Sequence, residues 1–322
     1  SGGLDSSLIA SLAKKSGTNI KSYTLGFEES SFDESSKAKY MSDFLGIKNE
    51  KFIINDKDLK DIEKIVLGFG EPLADTSIIP TYFLSKFASK QVKVCLGGDG
   101  GDELFFGYDT YTASKFFDII NKYKLNNLFK NAKFIKNFLP VTKSKVNYLY
   151  ALRKFLDSFQ NKTDKFFVHE FWRKINDELS LSKILNKELF YEINEINLDK
   201  YDIDRTETDI SSHRNMCDFQ FFLERDILVK SDRCSMANSL ELRSPFLNYN
   251  LFKYISDLHP KEKFNAFYKK KLLKKIAKRY VPNKIINQKK RGFNAPVSYW
   301  MNNQFNQIFR DLLNCQKIKS IF

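Results

Sequence analysis

Apolar positions in the first third of the chain recur with two alternating periods, and the switches between them predict the elements. Leu8, Ile9, Leu12 and Ala13 fall on one face at helical spacing, and residues 21–27 predict a strand. A helix over 34–45 and a strand over 51–54 follow, then helices over 56–66 and 77–88 and a strand over 92–96. Strands alternating with helices imply parallel crossovers, and such sheets bind ligands at the carboxyl ends of their strands. From about 115 to 210 the period is helical and the composition charged and aromatic, which predicts a helical insertion or packing layer. Periodicity strengthens again at Met216, Phe219, Phe222, Leu223 and Ile227, predicting a further helix.

Two glycine-rich segments interrupt this pattern. Ser1-Gly2-Gly3-Leu4-Asp5-Ser6 runs directly into the first helical face. Its glycines let backbone N–H groups approach an anion, Ser1 and Ser6 add hydroxyls, and the helix start contributes positive potential. Those six residues read equally as an ordinary turn with Asp5 as helix cap. They lack the Gly-Lys-Ser/Thr ending of a Walker A loop. The second segment, Gly97-Gly98-Asp99-Gly100-Gly101-Asp102-Glu103, follows the 92–96 strand. Its acidic residues would repel a polyphosphate unless a divalent cation stood between, and hard oxygen ligands suit Mg²⁺. Asp5 and Asp102 are the natural pair of metal ligands. Both loops then lie on the ligand-binding edge of one sheet.

Composition narrows the function class. The chain has 322 residues, 42% hydrophobic and 15% aromatic, enough for one large core or two modest ones. No apolar run approaches the roughly 18 residues of a membrane-spanning helix, so no membrane partner and a cytoplasmic location are expected. The four cysteines show no CxxC spacing and the three histidines no ligand pattern, leaving free thiols as the default. A net charge of +14 invites a nucleic-acid reading. The lysines at 269–279, however, alternate with Leu272, Leu273, Ile276 and Ala277 as on an amphipathic helix with a solvated face, and no nucleic-acid partner is expected.

Four ordered motifs carry a resemblance: residues 1–6, residues 96–108, residues 232–247, and 290–293 with Pro296 and Trp300. Together they resemble the synthetase domain of the asparagine synthetase family, one of the PP-loop ATP pyrophosphatases. The likeness runs nearly end to end. It implies an α/β fold: a parallel-sheet PP-loop core, adenine nucleotide alpha hydrolase-like, with a large C-terminal helical layer. The expected division is 1–112 for the ATP-binding core, 113–212 for the helical insertion and 213–322 for the C-terminal helical part. The family normally carries a glutaminase domain ahead of this region, so the expectation is a fragment that receives ammonia from a domain missing here. The strand feeding the first loop is expected to be missing as well.

The resemblance implies ATP and Mg²⁺ as cofactors. A substrate carboxylate attacks the α-phosphorus, pyrophosphate leaves, and ammonia attacks the acyl-adenylate to give an amide and AMP. Aspartate is the leading substrate and asparagine the product. Amidation of another carboxylate, a sugar acid or amino-acid derivative, is the nearest alternative, and a non-catalytic nucleotide-binding assembly module the next. An RNA-modifying PP-loop enzyme is disfavoured because a redox cysteine pair and an RNA-binding appendage are missing.

By the same resemblance, Ser1, Gly2, Gly3, Asp5 and Ser6 bind ATP and pyrophosphate, while Leu25, Gly97 and Gly98 contact adenine. Lys270 is the catalytic lysine, Asp99 handles protons or orients ammonia, and Asp75 with Ser77 lines the acidic-substrate side. Glu241 and Arg243 are expected as a buried polar pair. Asn248 stands where family members usually have Asp, which predicts a changed cap without lost chemistry. A homodimer is the candidate assembly.

Overall fold

The computed structural model describes residues 2–55, 58–71, 73–130, 148–160, 164–174, 178–195, 209–265, 267–288, 292–303 and 305–316. Among them the chain is mixed α/β, mostly helical, with parallel strand pairs. No described helix is long and apolar enough to cross a membrane.

One compact unit gathers the described residues of 1–112 and 218–296. It opens with helix α1 (Leu4–Lys15), then strand β1 (Lys21–Phe27), helix α2 (Ser35–Leu45) and strand β2 (Lys48–Ile54). The β1–β2 pair is parallel, with Lys21 opposite Lys48 and Phe27 opposite Ile54. Gly46 ends α2 in the left-handed conformation, φ 61°, that L-residues disfavour. A 3₁₀ turn at Asp58–Asp61 leads into α3 (Ile62–Phe69), so the segment expected to be helical over 56–66 tightens first and winds as α-helix later. Asp56 itself lies outside the described residues. Next come α4 (Ile78–Ala88), β3 (Val94–Leu96), α5 (Gly101–Leu104) and α6 (Asp109–Lys122), the last extending beyond residue 112.

The returning chain is wound differently from the simple helix its periodicity predicts. Residues Asp218–Leu228 are π-helical before the α-helix Val229–Met236 begins. The wider turn accommodates a crowd of rings: Phe219 meets Phe252 edge-on at 5.1 Å, and Phe222 meets Tyr108 at 5.5 Å. Strand β4 (Glu241–Arg243) then pairs in parallel with β3, Val94 opposite Glu241. Glu241 and Arg243 do pair, Nε to Oε1 at 2.7 Å, but their side chains are more than half exposed, correcting the expectation of a buried lock. Residues two apart on a short strand share one face, and here that face is open. Asn248 caps the helix Tyr249–Ser256, its Oδ1 accepting from the N–H of Asn250 at 3.1 Å and Leu251 at 3.3 Å.

The core of this unit packs Leu8 and Ile9 of α1 against Met41 of α2, with Leu104, Phe105, Phe246, Leu273 and Ala277. Each large apolar side chain so buried contributes about 1.5–3 kcal/mol. Phe106 takes a positive φ of 56°, a conformation costing about 1–3 kcal/mol, while its ring stacks on Phe264 at 4.4 Å.

The second unit gathers the described residues of 113–217 and 297–322 and is helical. Phe117, Phe159 and Val168 form its buried cluster. Arg214, fully buried, forks onto Asp118 at 2.8 and 2.7 Å and donates twice to the Lys165 carbonyl. A buried guanidinium is tolerated because charge and donors are both satisfied.

Candidate functional site

Gly2 begins the first loop at φ 71°, where an added Cβ would stand 2.6 Å from the Ala38 nitrogen. Glycine is therefore required both for conformation and for clearance. Gly3 precedes α1 in extended conformation, and Asp5 falls in the helix's first turn, where a carboxylate is favoured by the helix dipole. Ser6 Oγ donates to the Gly3 carbonyl at 3.3 Å. Gln288, 286 residues away in the chain, donates from Nε2 to the Gly2 carbonyl at 2.6 Å. Ser1 lies outside the described residues, as do Lys290 and Arg291 of the fourth motif.

The second loop folds onto the first. A Cβ on Gly98 would approach Asp5 Cβ to 3.1 Å, and one on Gly101 would approach Asp5 Cγ to 3.0 Å. Gly100 turns with φ 84° against Leu247, and Asp102 follows in α5. Its carboxylate meets Lys270: Nζ lies 2.7 Å from Asp102 Oδ1, 2.6 Å from Asp5 Oδ1 and 2.5 Å from Asp5 Oδ2. Gly107 leaves room for this cluster, since a Cβ there would overlap Asp102 Oδ1 and Lys270 Cε.

Lys270 is buried rather than part of a solvated lysine face, which corrects the amphipathic reading at that position. It precedes the helix Lys271–Ala277 with φ 51°, so its side chain leaves the helix direction. Burial opposes its charge, but the Asp102 and Asp5 carboxylates outweigh that and raise its pKa. Neighbouring Lys269 pairs instead with exposed Asp109. Burial pulls the Lys274 pKa down, reinforced by Lys269 and Lys270.

Asp99 is held by Ser231, whose Oγ donates to Oδ2 at 3.1 Å. Burial raises the Asp99 pKa, with Asp102 and Asp5 adding repulsion and Ser231 and Lys230 opposing it. Asp75 ties Ser77 by accepting its N–H at 2.8 Å and its hydroxyl at 2.7 Å, and it also accepts from Lys230 Nζ. Burial works against the Asp75 charge, yet Lys230 and those hydrogen bonds together hold its pKa below the ordinary range. Leu25 is buried on β1.

Lys230 and Ser231 carry none of the sequence motifs, although a helical signal exists. Lys230, Cys234 and Asn238 recur every fourth residue and meet, in order, Asp75, the Ile78 carbonyl at 3.5 Å and the Tyr82 carbonyl at 3.5 Å. Burial pushes the Cys234 thiol up to about 12, which makes it a packing group and not a nucleophile.

Two converging carboxylates are too few for an all-protein cage but suit Mg²⁺, which keeps waters and takes phosphate oxygens. The glycines at 98 and 101 let the second loop close onto Asp5, and Lys270 supplies a fixed positive charge between the two carboxylates. Asp5 and Asp102 are the residues that could hold such a metal, and Lys270 is the group that could stabilise negative charge developing on a polyphosphate beside it.

Comparison with known proteins bears on this geometry. The chain is 33% identical over 324 residues to asparagine synthetase [glutamine-hydrolyzing] 1 of Bacillus subtilis, covering 97% of this chain and 48% of that protein. It is 29% identical over 318 residues to a putative asparagine synthetase [glutamine-hydrolyzing] of Mycobacterium tuberculosis, covering 94% and 45%. Amidase chyE of Penicillium rubens is 23% identical over 353 residues, covering 100% and 52%. The chain thus spans about half the length of the curated relatives it matches. The family model described as asparagine synthase matches residues 1–321, and the chain belongs to that family.

Proposed function

We propose that this chain is the synthetase part of an ATP-dependent, amide-forming ligase, with aspartate as acid and asparagine as product. The observation carrying this reading is the convergence of Asp5, Asp102 and Lys270 between two glycine-rich loops. The PP-loop architecture, with the core at 1–112 and helical parts at 113–212 and 213–322, belongs to the same proposal.

In this reading the first loop, Ser1 to Ser6, receives the pyrophosphate end of ATP, while Leu25, Gly97 and Gly98 border adenine. Asp5 and Asp102 would hold Mg²⁺, which when bound would supply neutralisation of negative charge on the pyrophosphate. The acid's carboxylate oxygen attacks the α-phosphorus and the bond to pyrophosphate breaks. Lys270 stabilises the leaving oxygens, a preorganised positive group worth on the order of 100- to 1,000-fold. Ammonia, supplied by a glutaminase domain in the whole protein, then attacks the acyl carbon and AMP leaves. Asp99, its pKa raised by burial, orients the ammonia and takes its proton. Asp75 and Ser77 border the acid. The polypeptide does mainly positioning and electrostatics.

A second reading replaces aspartate with another carboxylate. It is favoured by the relative named an amidase, which aligns over all of this chain. The deciding experiment supplies the full-length protein with Mg-ATP and ammonium, screens acids for pyrophosphate and AMP release, and identifies the product by mass spectrometry. Asparagine formed only with aspartate supports the first reading. Release with a different acid selects the second, and ATP binding without turnover on any acid overturns both.

A further inference from the structure

We propose that Ser231 is a positioning residue for amide formation, acting through Asp99; the assignment rests on the amidation reading above. Its hydroxyl hydrogen belongs to Asp99 Oδ2 at 3.1 Å, across 132 residues of chain. Among the described residues this is the one side-chain hydrogen bond that Asp99 accepts. A carboxylate turns easily about its last torsion, so a single anchored oxygen selects the direction of the other. Anchoring Oδ2 leaves Oδ1 as the oxygen offered to an incoming N–H.

Both partners in this contact are placed by rigid elements. Ser231 stands in the first turn of Val229–Met236, and neighbouring Lys230 is ion-paired with Asp75. Cys234 and Asn238 continue the attachment of that segment to α4. Immediately afterwards β4 pairs with β3: the Glu241 N–H donates to the Lys93 carbonyl at 2.8 Å, and the Gly97 N–H to the Arg243 carbonyl at 2.8 Å. The chain bearing the carboxylate is thus registered beside β4 immediately before Asp99, and the helix bearing the hydroxyl leads into that same strand. Ser231 itself is 8% exposed, so bulk water competes weakly for its hydroxyl. Such a bond, made between pre-placed partners, orients a group without touching substrate.

Adenylation and amide formation separate the prediction from general damage. In the full-length protein, acid-dependent exchange of pyrophosphate with ATP reports the first step, and amide formed with ammonium reports both. Ser231→Ala should keep exchange within about twofold and lower kcat for amide by about tenfold, the size of one lost hydrogen bond. Ser231→Thr, which keeps the hydroxyl, should restore most of the rate. Unchanged amide formation in Ser231→Ala would overturn the assignment, as would equal losses in both steps with no rescue by threonine. A parent protein that exchanges with no acid sinks the adenylation reading and this inference together, whereas intact exchange with unaffected amidation in the variant sinks the inference alone.

Discussion

Lys270 reaches Asp5 across 265 residues of chain, Nζ to Oδ1 at 2.6 Å, and the same ammonium meets Asp102 at 2.7 Å. Removing the cation leaves two largely buried carboxylates facing each other. Lys270→Ala should therefore lower stability by about 3–5 kcal/mol, as for other buried pairs that lose one partner, besides slowing pyrophosphate release on the order of 100- to 1,000-fold. Added Mg²⁺ should restore part of the lost thermal midpoint, because it supplies a replacement cation. Lys269→Ala, whose ammonium faces exposed Asp109, should leave both properties within error. Equal effects of the two substitutions, read by thermal unfolding and pyrophosphate release, would remove Lys270 from the site.

Gly107 provides a test by volume alone. Gly107→Ala puts a methyl into the space of Asp102 Oδ1 and Lys270 Cε, so the pair must move. A displacement near 1 Å at reacting groups costs on the order of 100-fold in rate. Gly68→Ala is the control: Gly68 lies in α3 with nothing within 4 Å of an added Cβ. That change should stabilise by about 0.5–1 kcal/mol through helix propensity and leave turnover alone. Chemical denaturation and steady-state rates on both variants decide it.

Gly98 and Gly101, in contrast, mark what is legible from sequence. The glycine-rich loops announce close backbone approach, and Asp5 and Asp102, paired by their place in those loops, both meet Lys270. Strand β1 is legible as 21–27 from its own residues. Strand β2 begins at Lys48 and not at 51, because parallel pairing with Lys21, Ser22 and Tyr23 draws three polar residues into the ladder. Spacing does not separate Lys270 from Lys269 and Lys271. The distinction arises from a positive φ at Lys270, a property of the folded turn and not of helical periodicity. Ser231 and Lys230 were invisible for another reason: polar residues on a helix predict a solvated face, and only α4 packed opposite makes that face buried.

Asn248 should tolerate the family's usual residue. Asn248→Asp keeps an oxygen acceptor for the N–H groups of Asn250 and Leu251 and adds a charge favoured at a helix start. The expected change is a gain of about 0.3–1 kcal/mol, with turnover unaltered. Asn248→Ala removes the cap and should cost about 1 kcal/mol. A fall in turnover for Asn248→Asp at unchanged stability would instead give this position a part in the chemistry.

The Asp75–Lys230 pair predicts how stability responds to acid. With the folded Asp75 pKa lowered, its contribution is present above the unfolded carboxylate value of about 3.9 and is lost as pH falls through the folded value. Lys230→Met keeps most of the stem but leaves the carboxylate half-buried and without its cation. Burial then raises the Asp75 pKa, so the variant loses stability as pH climbs above about 4. The gap between parent and variant should accordingly be widest near pH 7, about 3 kcal/mol, and close as pH falls below 4. Lys86→Met provides the comparison, since the Lys86–Asp61 pair at 2.7 Å is over two-fifths exposed on both sides. Solvent screens that pair, and its loss should cost under about 1 kcal/mol at neutral pH. Urea midpoints of the three proteins between pH 3.5 and 7.5 measure both gaps. A Lys230→Met deficit that stayed constant across that range would mean that Lys230 acts through packing of its stem and not through the charge it places beside Asp75.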